Sequence, residues 1–123
     1  MDEKRPDIVE LAVVMKALSD PTRLAILDML MEGVQCNCYL GDRLGLPMNL
    51  ISHHLKVLRE AGLVRTERDQ VDARWIYHSV NQDNLVGLRE QLSAFLDPQR
   101  IQLRLPTCCG PQFAGKETAR AAR

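Results

Sequence analysis

With 123 residues, 4% aromatic side chains and 16 basic against 16 acidic residues, the chain has room for one modest core of Leu, Val, Ile, Met and Ala. A formal net charge of zero excludes a protein that coats nucleic acid or membrane by bulk charge, but not one with a local basic face. No apolar run approaches the roughly 18 residues of a membrane span, and the charged start MDEKRPDIVE is unlike a secretory signal. The expected location is therefore cytoplasmic, with no membrane partner, and the four cysteines are expected as ligands, redox sensors or filler rather than disulfide staples.

In chain order, residues 8–18 predict a helix with Ile8, Leu11, Ala12, Met15 and Leu18 on one stripe. Asp20-Pro21-Thr22 is a helix-start signal, and a second helix over 21–31 should bury Leu24, Ile26, Leu27 and Leu30 before Gly33 stops it. A short third helix over 39–44 is followed by the turn Gly45-Leu46-Pro47. A fourth over 48–61 buries Ile51, Leu55 and Leu58 and ends at Gly62. The period then switches: 63–68 and 74–80 predict a hairpin whose glycine-free tip, 69–73, needs a four- or five-residue loop. A last helix over 82–95 carries Leu85, Leu88, Leu92 and Phe95 at near-heptad spacing, and Asp97-Pro98 closes it. Residues 1–97 are expected to form the folded domain. Residues 98–123, with five basic residues, one acidic and a vicinal cysteine pair, should be a partly flexible C-terminal segment.

Two helices joined by a glycine turn and followed by a hairpin predict a mostly α fold with a β-hairpin wing, a winged helix-turn-helix. The second helix of that unit enters the major groove. Its first turns offer Asn49, Ser52 and His53 for base edges and Leu50 for a thymine methyl. Lys56 and Arg59 suit phosphates, and Arg65, Arg68 and Arg74 on the wing suit backbone or an adjacent minor groove. The alternative is a small helical domain with a solvated polar face. The apolar stripes of the first and last helices (Ile8, Leu11 and Met15; Leu85, Leu88, Leu92 and Phe95) either close one monomeric core or meet across a two-fold axis. The homodimer is preferred, since it would present two reading helices to a palindrome with half-sites roughly 34 Å apart.

Asp20-Pro21-Thr22-Arg23-Leu24, the run ISHHLKVLREAGLV over 51–64 and Trp75-Ile76-Tyr77-His78 closely resemble the ArsR/SmtB family of metal-sensing bacterial repressors, over about residues 8–96. The resemblance implies a homodimeric winged-helix repressor that leaves double-stranded operator DNA when metal binds. Members differ in which metal they sense and where. Cys36-Asn37-Cys38 matches the place where arsenic- and cadmium-sensing members carry a Cys-x-Cys pair, but the third cysteine common three residues further on is Gly41 here. Asn37 and Tyr39 also depart from the usual Val and Asp.

Trivalent arsenic takes three soft thiolates in a pyramid, so two thiols leave its site incomplete. Cys108-Cys109, flanked by Pro106 and Gly110, can supply the third, and some family members use a vicinal C-terminal pair for arsenite. The metal ligands are thus expected among Cys36, Cys38, Cys108 and Cys109: preferably in one combined site, within one subunit or across the dimer; otherwise as two separate pairs completed by an exogenous thiol or water, or as a tail pair that captures the ion before Cys36 or Cys38 completes it. The expected inducer is As(III) or Sb(III), with Cd(II) or Pb(II) on four thiolates as the alternative. A thiol-redox sensor closing an intersubunit disulfide is the chemical rival. Zinc fits the resemblance poorly, because family members with zinc sites on the last helix use Asp/His pairs along it, and here that helix has Asp83 and Glu90 but no histidine. With no nucleophile beside a base and no glycine-rich phosphate loop, the chain is not expected to be an enzyme.

Overall fold

The computed structural model describes residues 7–103. The first helix, α1 (Ile8–Ala17), begins where the Asp7 carboxylate accepts from the Val9 and Glu10 amides, satisfying donors that a helix start leaves unpaired. Asp20 caps α2 (Pro21–Met31) by accepting from the Arg23 amide at 3.1 Å, and Pro21 stands in the first turn, where no N–H is needed. A two-residue strand, β1 (Gln35–Cys36), runs straight into α3 (Asn37–Leu44). Gly45 then turns the chain at φ +66°, a left-handed conformation that disfavours any residue with a Cβ, and α4 (Met48–Glu60) follows. β2 (Val64–Arg68) and β3 (Ile76–Val80) form the wing, and Asn81 caps α5 (Gln82–Phe95). A 3-10 turn at Pro98–Arg100 comes after Asp97.

One core joins these elements. Ile26 and Leu30 of α2, Leu40 of α3, and Ile51, Leu55 and Leu58 of α4 pack with Leu63 and Val64 at the entry to the wing. Leu11 of α1 and Leu88 of α5 close it from the other side. The sheet has the order β1-β3-β2 and is antiparallel throughout. His78 on β3 therefore stands between Gln35 on one side and Thr66 on the other.

The winged helix-turn-helix matches the sequence expectation, with five differences in detail. The wing is a three-stranded sheet, because β1 adds to the hairpin through Gln35 and Cys36. The connection at the tip spans residues 69–75, longer than expected; Asp69 stabilises it by accepting from the Val71 and Asp72 amides at 3.0 and 2.8 Å. Helix α3 starts two residues earlier, at Asn37. Leu24 is half-exposed rather than buried, since α2 turns Ile26, Leu27 and Leu30 inward. On α1 the inward face is Leu11, Val14, Ala17 and Leu18, which leaves Ile8, Ala12 and Met15 outside.

Leu40 has no exposed surface and couples α3 to the core, so Leu40→Ala should lower unfolding stability by about 2–5 kcal/mol. Leu24→Ala should cost less than about 1 kcal/mol. Urea denaturation at a fixed protein concentration measures both, and equal losses would contradict the assignment of α2's inner face.

Candidate nucleic-acid interface and thiol site

Helix α4 is divided lengthwise by its side chains. Ile51, His54, Leu55 and Leu58 are buried, while Asn49, Leu50, Ser52, His53, Lys56 and Arg59 all face outward. This is the 3.6-residue periodicity of a helix with one face in a core and a polar face free for another surface. The inner face includes one polar contact: the Arg23 guanidinium lies 3.2 Å from His54 Nδ1 and also donates to the Ala17 carbonyl at 2.5 Å. Arg23 thereby ties the end of α1, the start of α2 and the middle of α4 together.

The wing arginines differ in how far they are engaged within the fold. Arg74 makes a two-pronged ion pair with Asp72, 2.7 Å at its shortest; hydrogen bonds from Arg74 hold the Asp72 carboxyl below its ordinary range and raise the guanidinium. The tip therefore carries less positive charge than the sequence suggests. Arg68 donates to the Ala73 carbonyl and braces the loop, and Arg65 reaches Asn81 Oδ1 at 3.3 Å. Arg59 donates to Thr66 Oγ1 at 3.3 Å, which fixes it between the reading helix and the wing. Lys56 is exposed.

Cys36 and Cys38 flank the first residue of α3, and their sulfurs lie 3.1 Å apart. Burial pushes the Cys36 thiol up, but the hydrogen bond from Cys38 and the backbone amides of Tyr39 and Cys38 outweigh it, so its pKa falls below the ordinary value. Cys38 moves the other way, raised by donating to Cys36, by burial and by the neighbouring negative charge. The opposite shifts make Cys36 the readier of the two thiols to ionise. Gly41, where a third local thiol would stand, is buried: a Cβ there would lie 3.2 Å from the Leu46 carbonyl oxygen and 3.4 Å from Met48 Cε. Among the described residues no third Cys, His or carboxylate joins the pair to complete an ion site. Cys108 and Cys109 lie outside the described residues.

Residues 20–66, from the α2 cap into β2, match the bacterial regulatory protein, arsR family. An uncharacterised HTH-type transcriptional regulator of Methanocaldococcus jannaschii is 39% identical over 75 residues, covering 60% of this chain and 81% of that one. The chain belongs to the ArsR family. The arsenical resistance operon repressor of Staphylococcus xylosus is 42% identical over 60 residues, 49% of this chain and 58% of the repressor. A homodimeric winged helix-turn-helix DNA-binding domain from Mycobacterium bovis superimposes with a TM-score of 0.59 at 25% identity, over 75% of this chain and 82% of that one. ArsR-family proteins are DNA-binding transcriptional regulators, and the outward face of α4 with its wing is the surface that the winged helix-turn-helix turns towards DNA.

The positions expected for the dimer seam divide into two groups. Leu11 and Leu88 are largely taken up by the protomer's own core, and Leu85 and Leu92 pack partly against it. Ile8, Met15 and Phe95 remain exposed, and Val9, Val13 and Leu96 add to them. Sequence reasoning singled out neither Asn37 nor His78 as a site residue. His78 Nε2 bonds Asn37 Oδ1, and its Nδ1 is 2.9 Å from Thr66 Oγ1. The available signal was the alternation Ile76, His78, Val80, which sets a histidine on the inward face of a strand.

Burial and the nearby Arg59 charge lower the His78 pKa from 6.5 to about 4. The unfolded chain then takes up a proton that the folded chain refuses, so His78's contribution is complete above pH 6.5 and is lost as pH falls towards 4. Thermal unfolding should show a loss of order 2 kcal/mol across that window. His78→Gln should flatten the slope there, whereas Asp20 and Asp72, whose pKa values are lowered, act only at lower pH.

Proposed function

We propose that the chain is a homodimeric repressor of metal(loid)-resistance genes. It binds a palindromic operator and is released when Cys36 and Cys38 capture trivalent arsenic or antimony together with a third thiolate from Cys108 or Cys109. The reading rests on one observation above all: two thiols with sulfurs 3.1 Å apart at the start of the helix that packs directly against the reading helix. At a sulfur–ion distance of roughly 2.3 Å, sulfurs 3.1 Å apart subtend about 85° at the ion. That is nearer the compressed angle of a lone-pair pyramid than a tetrahedron, which would need about 3.8 Å. The identity with an arsenical resistance operon repressor supports the same choice.

In this reading the chain's own residues do the following. Cys36 and Cys38 hold the ion and set the position of the first turn of α3. Because Leu40 and Gly41 pack on α4, displacement of α3 tilts α4, and the two reading helices of a dimer lose their matched spacing. A coupling of a few kcal/mol is enough to empty an operator. The exposed apolar side chains of α1 and of α5 with its C-cap (Ile8, Val9, Met15, Phe95 and Leu96) are the surface a second copy would cover. Cadmium or lead held by all four thiolates is the alternative occupant.

Fluorescence anisotropy of an operator fragment with the reduced full chain tests the proposal. Micromolar arsenite or antimonite should release the fragment, and Cys36→Ser should bind it normally but no longer release it. Release by cadmium or lead alone would move the site to a four-thiolate ion, and normal release from Cys36→Ser would refute the site. The outward face of α4 has its own test. Lys56→Ala should weaken binding to all sequences alike and lower the slope of log affinity against log salt by about one, whereas Asn49→Ala should relax sequence preference at about 1–3 kcal/mol.

A further inference from the structure

Asn37, between the two cysteines, is held from the wing. Its Oδ1 only accepts, so the His78 ring proton is on Nε2 and points to it, and Nδ1 is left as an acceptor. Thr66 Oγ1, 2.9 Å away, gives its single proton to Nδ1, and its lone pairs accept from Arg59 Nη1 at 3.3 Å. The donors therefore run in one direction, Arg59 to Thr66 to His78 to Asn37. Three successive side-chain bonds lead from the reading helix, through both long strands of the wing, to the residue between the thiols. The chain borders a cleft of about 450 Å³ that Arg59, Thr66, His78 and Asn37 line together with Arg68 and Ser52. His78 is buried and neutral, so its bonds to Thr66 and Asn37 join uncharged groups and depend on position.

We propose that Asn37, His78 and Thr66 are positioning residues that transmit occupancy of the thiol pair to Arg59. Asn37 opens α3 with a cysteine on either side, so any closure of Cys36 and Cys38 around an ion moves its carboxamide. The bond to His78 is then lost. His78 and Thr66 become free to reorient, and Arg59 is no longer held where α4 meets the wing. A phosphate contact made from that place weakens. This route is distinct from the packing of α3 on α4, because it passes through side-chain bonds of Thr66 and His78 on the wing. The inference rests on the thiol-sensing reading and adds the residues that carry its signal.

The test uses phenylarsine oxide, which requires two thiols and no third ligand. Two As–S bonds form, the As–O bond is broken, and the two thiol protons leave with the oxygen as water, without any change of oxidation state. The full chain carrying Cys108→Ser and Cys109→Ser confines the reagent to Cys36 and Cys38. One equivalent should weaken operator binding about 30-fold. Thr66→Val in the same background should still bind one equivalent, but the operator affinities with and without reagent should differ by less than about fivefold. Thr66→Ser, which restores the hydroxyl, should return the larger factor. An undiminished factor in Thr66→Val would overturn the relay while leaving thiol sensing intact. One-to-one binding with no effect on operator affinity before any relay substitution would overturn the relay, since nothing would then pass from the pair to Arg59, while the three-thiolate reading is tested by arsenite on the unsubstituted chain. Imidazole nitrogen NMR gives a check on the unsubstituted wing: the His78 Nε2 and Nδ1 signals should shift on reagent binding, and unchanged signals would refute the proposal.

Discussion

The inward anchoring of α4 is the constraint on which the other features depend. Four of its side chains, Ile51, His54, Leu55 and Leu58, are withdrawn from water, and they fix which way the remaining ones point. Three are hydrocarbon and impose no angular precision beyond shape. The fourth is an imidazole, and burying it requires a partner; Arg23 meets Nδ1 and at the same time binds the carbonyl at the end of α1. A rotation of α4 about its axis would therefore both open the core and strand a buried polar ring. That double penalty keeps Asn49, Ser52, His53 and Lys56 in one outward row.

The same economy of polar groups shapes the region around β1. A strand of two residues contributes little pairing energy of its own, yet it delivers Cys36 to the edge of the sheet opposite Tyr77 and Asn37 to the reach of His78. The thiols are thus anchored to the wing by backbone and by side chain, and to the reading helix through Leu40 and Gly41 packed on α4. The sulfurs thus sit where two attachments meet, one to the wing and one to α4.

Much of this was legible from the sequence where the signal is local. The bounds of α2 and α5 follow from Asp20-Pro21, Asn81 and Asp97-Pro98, each a capping feature within a few residues of the boundary it sets. The polar row on α4 follows from a 3.6-residue period, and the closeness of the sulfurs from a spacing of two. What escaped depends on distant partners. β1 is too short to show a period and exists because β3 is there to pair with it. Leu24 looks like core in isolation but lies on the side of α2 that the described residues leave half exposed. The Asn37–His78 bond joins residues 41 positions apart, and the cancellation of Arg74 by Asp72 depends on how the tip folds.

The opposite shifts of Cys36 and Cys38 give the pair a direction. A thiol reacts with a soft electrophile through its thiolate, and the lowered pKa of Cys36 makes it the readier nucleophile of the two. Under the proposed capture, Cys36 would make the first bond and Cys38 would close the ring. Changes around Cys36 alone would then alter how quickly a signal is noticed, and changes around Cys38 how long it is remembered.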